Sequence, residues 1–207
     1  MVLLLAACNS VSAAGTPTAA NARTYVYNCD KEYSFTVRVD ANIAWLFLPD
    51  QTLQLTQGRS ASGARYADNS TIFWTKGEQA LLNHGGDEHR NCLNDKRAAV
   101  WQHAKLNGVD FRAVGNEPGW QMEISNKNHI MLLSDYGQSK YIFKNASIQS
   151  SATERKTVYA ATNNTDSLRV TLVGERCQDT MADEQYETSV VIELNGRELR
   201  GCGKPLH

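Results

Sequence analysis

The sequence predicts an all-β protein of two small antiparallel β domains, each with one disulfide. Three observations carry that prediction: apolar and polar residues alternate with period two in both halves, no convincing amphipathic helix interrupts the first strand series, and the four cysteines beyond Cys8 divide two and two. The chain has 207 residues, 42% of them hydrophobic and 8% aromatic, enough for one large or two small folded domains. The boundaries read as 1–22 for a processing signal and linker, 23–103 for the first domain and 104–207 for the second.

In the first half Tyr33, Phe35, Val37 and Val39 alternate with Ser34, Thr36 and Arg38, as a half-buried strand requires. Ile43 to Leu48 is a short apolar run that ends at the turn Pro49-Asp50, after which Leu53 and Leu55 resume the alternation. Thr71 to Thr75 and Gln79 to Leu82 continue a closely spaced antiparallel series. Phe73 and Trp74 lie on opposite faces of one strand, so only one of them enters the core if the sheet has a wet face. The series pauses around His103 to Asp110. Beyond it Trp120, Met122 and Ile124 alternate, as do Leu168, Val170 and Leu172. Asn195-Gly196, a dipeptide that accepts positive φ at both turn positions, signals a final hairpin between Val190/Ile192/Leu194 and Leu199.

The simplest pairing of the cysteines is Cys29 with Cys92 and Cys177 with Cys202, one staple per domain. No two of the four have the short spacing of a zinc knuckle, so neither a metal nor a cofactor is expected. Residues 23–103 carry nine basic and nine acidic groups and residues 104–207 twelve and thirteen, so neither half has the basic excess that nucleic acid requires.

The first 22 residues carry no charge, and their apolar run from Met1 to Cys8 is too short to span a bilayer. Leu5-Ala6-Ala7-Cys8, followed by small polar residues, resembles a bacterial lipobox, in which the cysteine sulfur carries a lipid. Lipidation of Cys8 also leaves the even set of four for an oxidising compartment; the alternative is an ordinary thiol, since no positively charged n-region precedes it. The resemblance implies a lipid-anchored protein of the bacterial cell envelope, at the outer membrane and facing the periplasm.

No catalytic constellation is present. His84-Gly-Gly-Asp-Glu88-His89 has one residue too many for an inverted zincin motif, and its paired glycines break the helix such a motif needs, so it reads as a polar loop. Gly201-Cys202-Gly203 reads as a turn around a half-cystine. Asn69, Asn145 and Asn163 head N-x-S/T triplets, which are accidental in a bacterial protein. An enzyme is not expected.

The informative segment is Gly58-Arg-Ser-Ala-Ser62-Gly63-Ala64-Arg65-Tyr66, followed by Ile72-Phe-Trp-Thr-Lys76-Gly77. By itself it is a Ser/Gly loop leading to a strand that ends in a lysine beside a glycine. With Tyr27-Asn-Cys29-Asp30 upstream and Asn91-Cys92-Leu-Asn94 downstream, it resembles the MliC family of C-type lysozyme inhibitors, over about Arg23 to Asp95. The resemblance implies a small β-barrel, lysozyme as partner, and Ser62 and Lys76 as the residues that enter the lysozyme cleft. Gly63, Ala64, Arg65, Tyr66 and Gly77 then support the loop: the glycines as turn formers that let backbone reach into a narrow cleft, Arg65 and Tyr66 as braces or rim contacts.

Phe111 to Trp120, Glu175 to Met181 and Leu199 to Gly203 resemble a poorly characterised domain of bacterial envelope lipoproteins, for which no activity is implied. There Glu117-Pro118-Gly119-Trp120 reads as a turn beside a core tryptophan, and Asp179 and Asp183 as loop carboxylates without a task. Two functions from different classes follow: inhibition of C-type lysozyme, or a non-inhibitory envelope lipoprotein whose second domain binds a small molecule or cell-wall component.

Overall fold

The computed structural model describes residues 21–207. The lipidation site proposed at Cys8 lies outside the described residues. The first half closes into an eight-stranded antiparallel barrel in simple sequence order. Its strands are β1 (Arg23–Asn28), β2 (Ser34–Asp40), β3 (Ile43–Phe47), β4 (Thr52–Gly58), β5 (Ala64–Ala67), β6 (Thr71–Lys76), β7 (Gln79–His84) and β8 (Asp87–Asn94). Closure comes from pairing Tyr27 with Asn94 and Asn28 with Leu93, which removes both sheet edges. Alternation decides the interior: Tyr27, Phe35, Val37, Leu46, Leu55, Tyr66, Phe73 and Leu82 pack inside. Phe73 is fully buried, which settles the Phe73/Trp74 alternative in favour of phenylalanine. Cys29 and Cys92 are joined across the β1 and β8 ends, closing a loop of 63 residues worth about 4 kcal/mol in the chain-entropy model.

The pause in the strand pattern conceals a helix, α1 (Lys96–Leu106), which period-two reading of the sequence does not anticipate. Its buried side chains are the small Ala99 and Ala104, so it shows no broad apolar stripe. Local chemistry specifies it instead. Asp95 caps the N-terminus by accepting from the Ala98 N–H at 3.0 Å, an alanine-rich turn follows, and Gly108 takes the left-handed conformation just past the end. The 103/104 boundary drawn from the sequence falls inside this helix.

The second half is one nine-stranded antiparallel sheet, curled around its own core. Its strands are β9 (Val109–Asn116), β10 (Gly119–Ser125), β11 (His129–Ser134), β12 (Ser139–Phe143), β13 (Ser147–Ser151), β14 (Lys156–Thr162), β15 (Ser167–Val173), β18 (Thr188–Leu194) and β19 (Arg197–Pro205), in spatial order 12-11-10-9-19-18-15-14-13. A two-stranded ribbon, β16 (Cys177–Asp179) and β17 (Glu184–Tyr186), is inserted between β15 and β18. Trp120, Met122, Ile124, Leu168, Val170, Leu172, Val190, Ile192, Leu194 and Leu199 all join the core, as their alternation predicts. Asn195 and Gly196 both have positive φ in the β18–β19 hairpin.

Two readings of the second half are corrected. Gly201-Cys202-Gly203 is not a turn but the middle of β19, where a Cβ at Gly201 would lie 2.1 Å from the Val114 carbonyl oxygen and one at Gly203 2.6 Å from that of Arg112. These glycines serve close approach to β9 and to Trp120, and Cys202 between them reaches back to Cys177 on the ribbon. Asp179 is not idle either: its Oδ1 accepts from Asn116 Nδ2 at 2.6 Å and from the backbone N–H of Met181 and Ala182, fixing the ribbon's turn to β9.

Helix α1 lies between the two sheets. Toward the barrel, His103 Nδ1 meets Thr24 Oγ1 at 3.0 Å and Asn107 Oδ1 accepts from Arg38 Nη2 at 2.8 Å. Arg38 faces out of the barrel by alternation, yet is buried because this junction covers it. Toward the second sheet, Trp101 packs against Tyr186 at 5.3 Å between ring centroids and takes Arg112 and Lys204 over its ring, while Arg97 donates to the Ala182 carbonyl at 3.1 Å. No helix among the described residues is long and apolar enough to cross a membrane.

Candidate functional site

In an antiparallel meander, alternate connections share one rim. The β2–β3, β4–β5 and β6–β7 connections and the end of β8 therefore lie together. Ser62 and Lys76 belong to two adjacent connections of that rim, because β5 begins opposite the end of β6, with Ala64 facing Thr75. Gly63 brings them together. It has φ +69°, and a Cβ there would stand 3.1 Å from the Lys76 Cβ and 2.3 Å from the Thr75 carbonyl oxygen. Only glycine permits that approach.

The loop is pinned by its own neighbours. The Ser62 carbonyl accepts from the Trp74 indole N–H at 3.0 Å and from the Ser60 hydroxyl at 2.7 Å. The Ser62 side chain is exposed, and no hydrogen bond engages its hydroxyl among the described residues. Trp74, whose face the sequence left open, thus lies outside the barrel as a brace for the loop. Ala64 opens β5. Arg65 pairs with Trp74 across the ladder and runs its guanidinium past Gly58. Tyr66 points inward, nearly parallel to Phe73 with 6.0 Å between centroids, and burial pushes its phenol up.

Lys76 is the exposed last residue of β6, and Gly77, at φ +60°, turns the chain into β7. Beneath it Tyr27 OH meets Thr75 Oγ1 at 2.8 Å, and the Thr75 hydroxyl donates to the Gln79 carbonyl at 3.2 Å. Burial raises the Tyr27 phenol to about 12, so it keeps its proton and the chain of hydroxyls holds the β6–β7 turn on the barrel floor. Six ion pairs occur among the described residues, and Lys76 takes part in none. The rim therefore carries the exposed Ser62 and Lys76, the latter in no ion pair among the described residues, on two adjacent connections.

The histidine-rich stretch lies on the opposite rim as a polar hairpin. His84 bonds Thr71 Oγ1 at 2.9 Å and Gln51 Nε2 at 2.8 Å, Gly85 and Gly86 form the turn, and His89 stacks on Tyr33 at 3.6 Å. No group of three His, Cys, Asp or Glu among the described residues is arranged to hold a metal.

Residues 27–91 match the family model described as membrane-bound lysozyme-inhibitor of c-type lysozyme. A membrane-bound lysozyme inhibitor of C-type lysozyme from Escherichia coli is 42% identical over 62 residues, covering 28% of this chain and 55% of that protein. Its namesake from Pseudomonas aeruginosa is 40% identical over 65 residues, covering 29% of this chain and 51% of that protein. The chain spans about half the length of these curated relatives. No solved structure matches the chain. The matched span runs from the end of β1 into β8, and it includes the Ser62 loop, the Lys76 turn and most of the barrel core. Residues 27–91 are thus the part of the chain that matches the MliC family model, and the relatives they resemble carry the name of inhibitors of C-type lysozyme.

Proposed function

We propose that this protein inhibits C-type lysozyme by inserting Ser62 and Lys76 into the active-site cleft, and that it has no catalytic activity of its own. Lysozyme places two carboxylates on either side of the scissile bond, one of them a proton donor with a raised pKa. An ammonium between them pairs with both, favours ionisation of the acid and occupies the sugar's place. A serine hydroxyl alongside adds a compact donor where a bulkier side chain would not fit. The observation that carries this reading is the Gly63 contact with the end of β6, which sets the two side chains on neighbouring rim connections. The experiment is titration of the protein into a C-type lysozyme lysis assay, with Lys76→Ala beside the wild type; equal inhibition by both overturns the mechanism.

We further propose attachment to the bacterial cell envelope through a lipid on Cys8, facing the periplasm from the outer membrane, where inhibition would protect peptidoglycan. Both relatives are named membrane-bound inhibitors, and the sequence before Cys8 has the lipobox pattern. Mass spectrometry of the envelope-extracted protein tests it: an unmodified Cys8 thiol overturns the anchor.

A further inference from the structure

The turn that carries Lys76 also carries a carboxylate. Glu78 follows it with only Gly77 between. Offered to a cleft that already holds two carboxylates, a third negative charge opposes entry. The structure shows what engages it. Glu78 Oε1 pairs with Lys96 Nζ at 3.0 Å, and Oε2 accepts from Asn94 Nδ2 at 3.0 Å. The Asn94 N–H also donates to the Glu78 carbonyl at 2.9 Å. Both donors come from one place: Asn94 ends β8, and Lys96 is the first residue of α1.

Stability does not account for this lysine. The side chains of Lys96 and Glu78 are 72% and 54% exposed, and a pair so open to water contributes little to folding. A cation at the first helical position also meets the positive end of the helix dipole, so α1 gains nothing from it. Hydrogen bonds from Asn94 and then from Lys96 hold the Glu78 carboxyl below its usual value, so at neutral pH it is a carboxylate.

We infer that Lys96 is a positioning residue for inhibition: it neutralises Glu78 and draws its carboxylate toward the helix, so that Lys76 supplies the net charge of the β6–β7 turn. The inference rests on the reading of Lys76 given above. It gives α1 a part in the barrel's activity, since the helix start supplies the counter-charge to the turn beside it.

The test uses the full chain and a lysozyme inhibition constant measured at low and at physiological salt. Lys96→Ala is expected to weaken inhibition roughly tenfold, and Lys96→Glu more, with the loss shrinking as salt screens the exposed carboxylate. Melting temperatures stay at the wild-type value. Glu78→Gln placed in the Lys96→Ala background restores inhibition to within about twofold of wild type, because the charge that Lys96 served to mask is gone. Glu78→Gln alone inhibits at least as well as wild type. Failure of that rescue, or weaker inhibition by Glu78→Gln alone, overturns the inference, the second outcome because Glu78 would then be a lysozyme contact in its own right. If Lys76→Ala loses inhibition while Lys96→Ala does not, the inference falls and the reading of the rim stands. If Lys76→Ala inhibits as wild type does, both fall.

Discussion

Lys76 and Ser62 differ in what their removal leaves behind. A lysine desolvated between two carboxylates is a charge pair, whose loss costs about 2–5 kcal/mol, against roughly 0.5–1.5 kcal/mol for a neutral hydrogen bond. Lys76→Ala is therefore expected to weaken inhibition more than Ser62→Ala, with the melting temperature unchanged because both side chains are exposed. Gly63→Ala is different in kind. Its Cβ would meet the Thr75 carbonyl oxygen at 2.3 Å in a left-handed conformation, so the loop must leave the end of β6. Inhibition and thermal stability should fall together, and an unchanged lysis assay would show that the Ser62–Lys76 juxtaposition does not matter.

At the scale of elements, α1 depends on its ends. It buries only small residues, so losing the Asp95 cap by Asp95→Ala should cost about 1 kcal/mol, read as a lower melting temperature of the full chain. The helix's last turn serves the barrel as well, because Asn107 accepts from the buried Arg38 guanidinium. We propose that the two halves are separable, the barrel having its own closed ladder, core and disulfide. A fragment of residues 23–103 is expected to inhibit, but to melt below one of residues 23–108, which retains Asn107 and the Gly108 stop. Comparison of the two fragments with the intact chain by lysis assay and thermal melt checks this; a shorter fragment as stable as the longer would show that the Arg38–Asn107 bond is dispensable. A folded fragment that does not inhibit would contradict the assignment to Ser62 and Lys76.

At the junction of the two halves sits a histidine, a side chain whose ordinary titration falls near neutral pH. His103 lies among Thr24 of β1, Arg38 of β2, Arg112 of β9 and Glu123 of β10. Its Nε2 lies 2.9 Å from Asn107 Nδ2, a donor, so the ring is neutral with its proton on Nδ1, facing Thr24. Burial first, then the charges of Arg38 and Arg112 against the opposing pull of Glu123, lowers its pKa below the usual histidine value. The unfolded chain takes up this proton near pH 6.5, before the folded one does, so the contribution is intact above that pH and declines below it. Melts at pH 7.5 and 5.5 should show a drop that His103→Gln diminishes, in a range where the depressed carboxylates of Asp68, Asp135 and Asp166 remain ionised. An equal drop in the variant would place the pH sensitivity elsewhere.

The sequence by itself determined the core-facing alternation of several strands in each half and the motif strings of the rim. Alternation specifies which side chains can share a buried face, so Phe35, Val37, Trp120, Met122 and Ile124 were legible as core; cysteine number and domain count specified the two bridges. The strings around Ser62 and Lys76 identified the segment that matches the inhibitor family. Only the tertiary structure decided what depends on contact between distant strands. Which face of β6 is wet follows from barrel closure, and so do the indole of Trp74 on the Ser62 carbonyl and the burial of Arg38. The placement of Gly201 and Gly203 in a strand follows from their approach to β9, a contact no local pattern encodes. Helix α1 escaped the pattern because it meets the two sheets through polar groups, the small Ala99 and Ala104 and the single large ring of Trp101, leaving no broad apolar stripe. The Glu78–Lys96 pair joins residues eighteen positions apart through the closure of the barrel, and physical proximity of that kind exists only once the fold does.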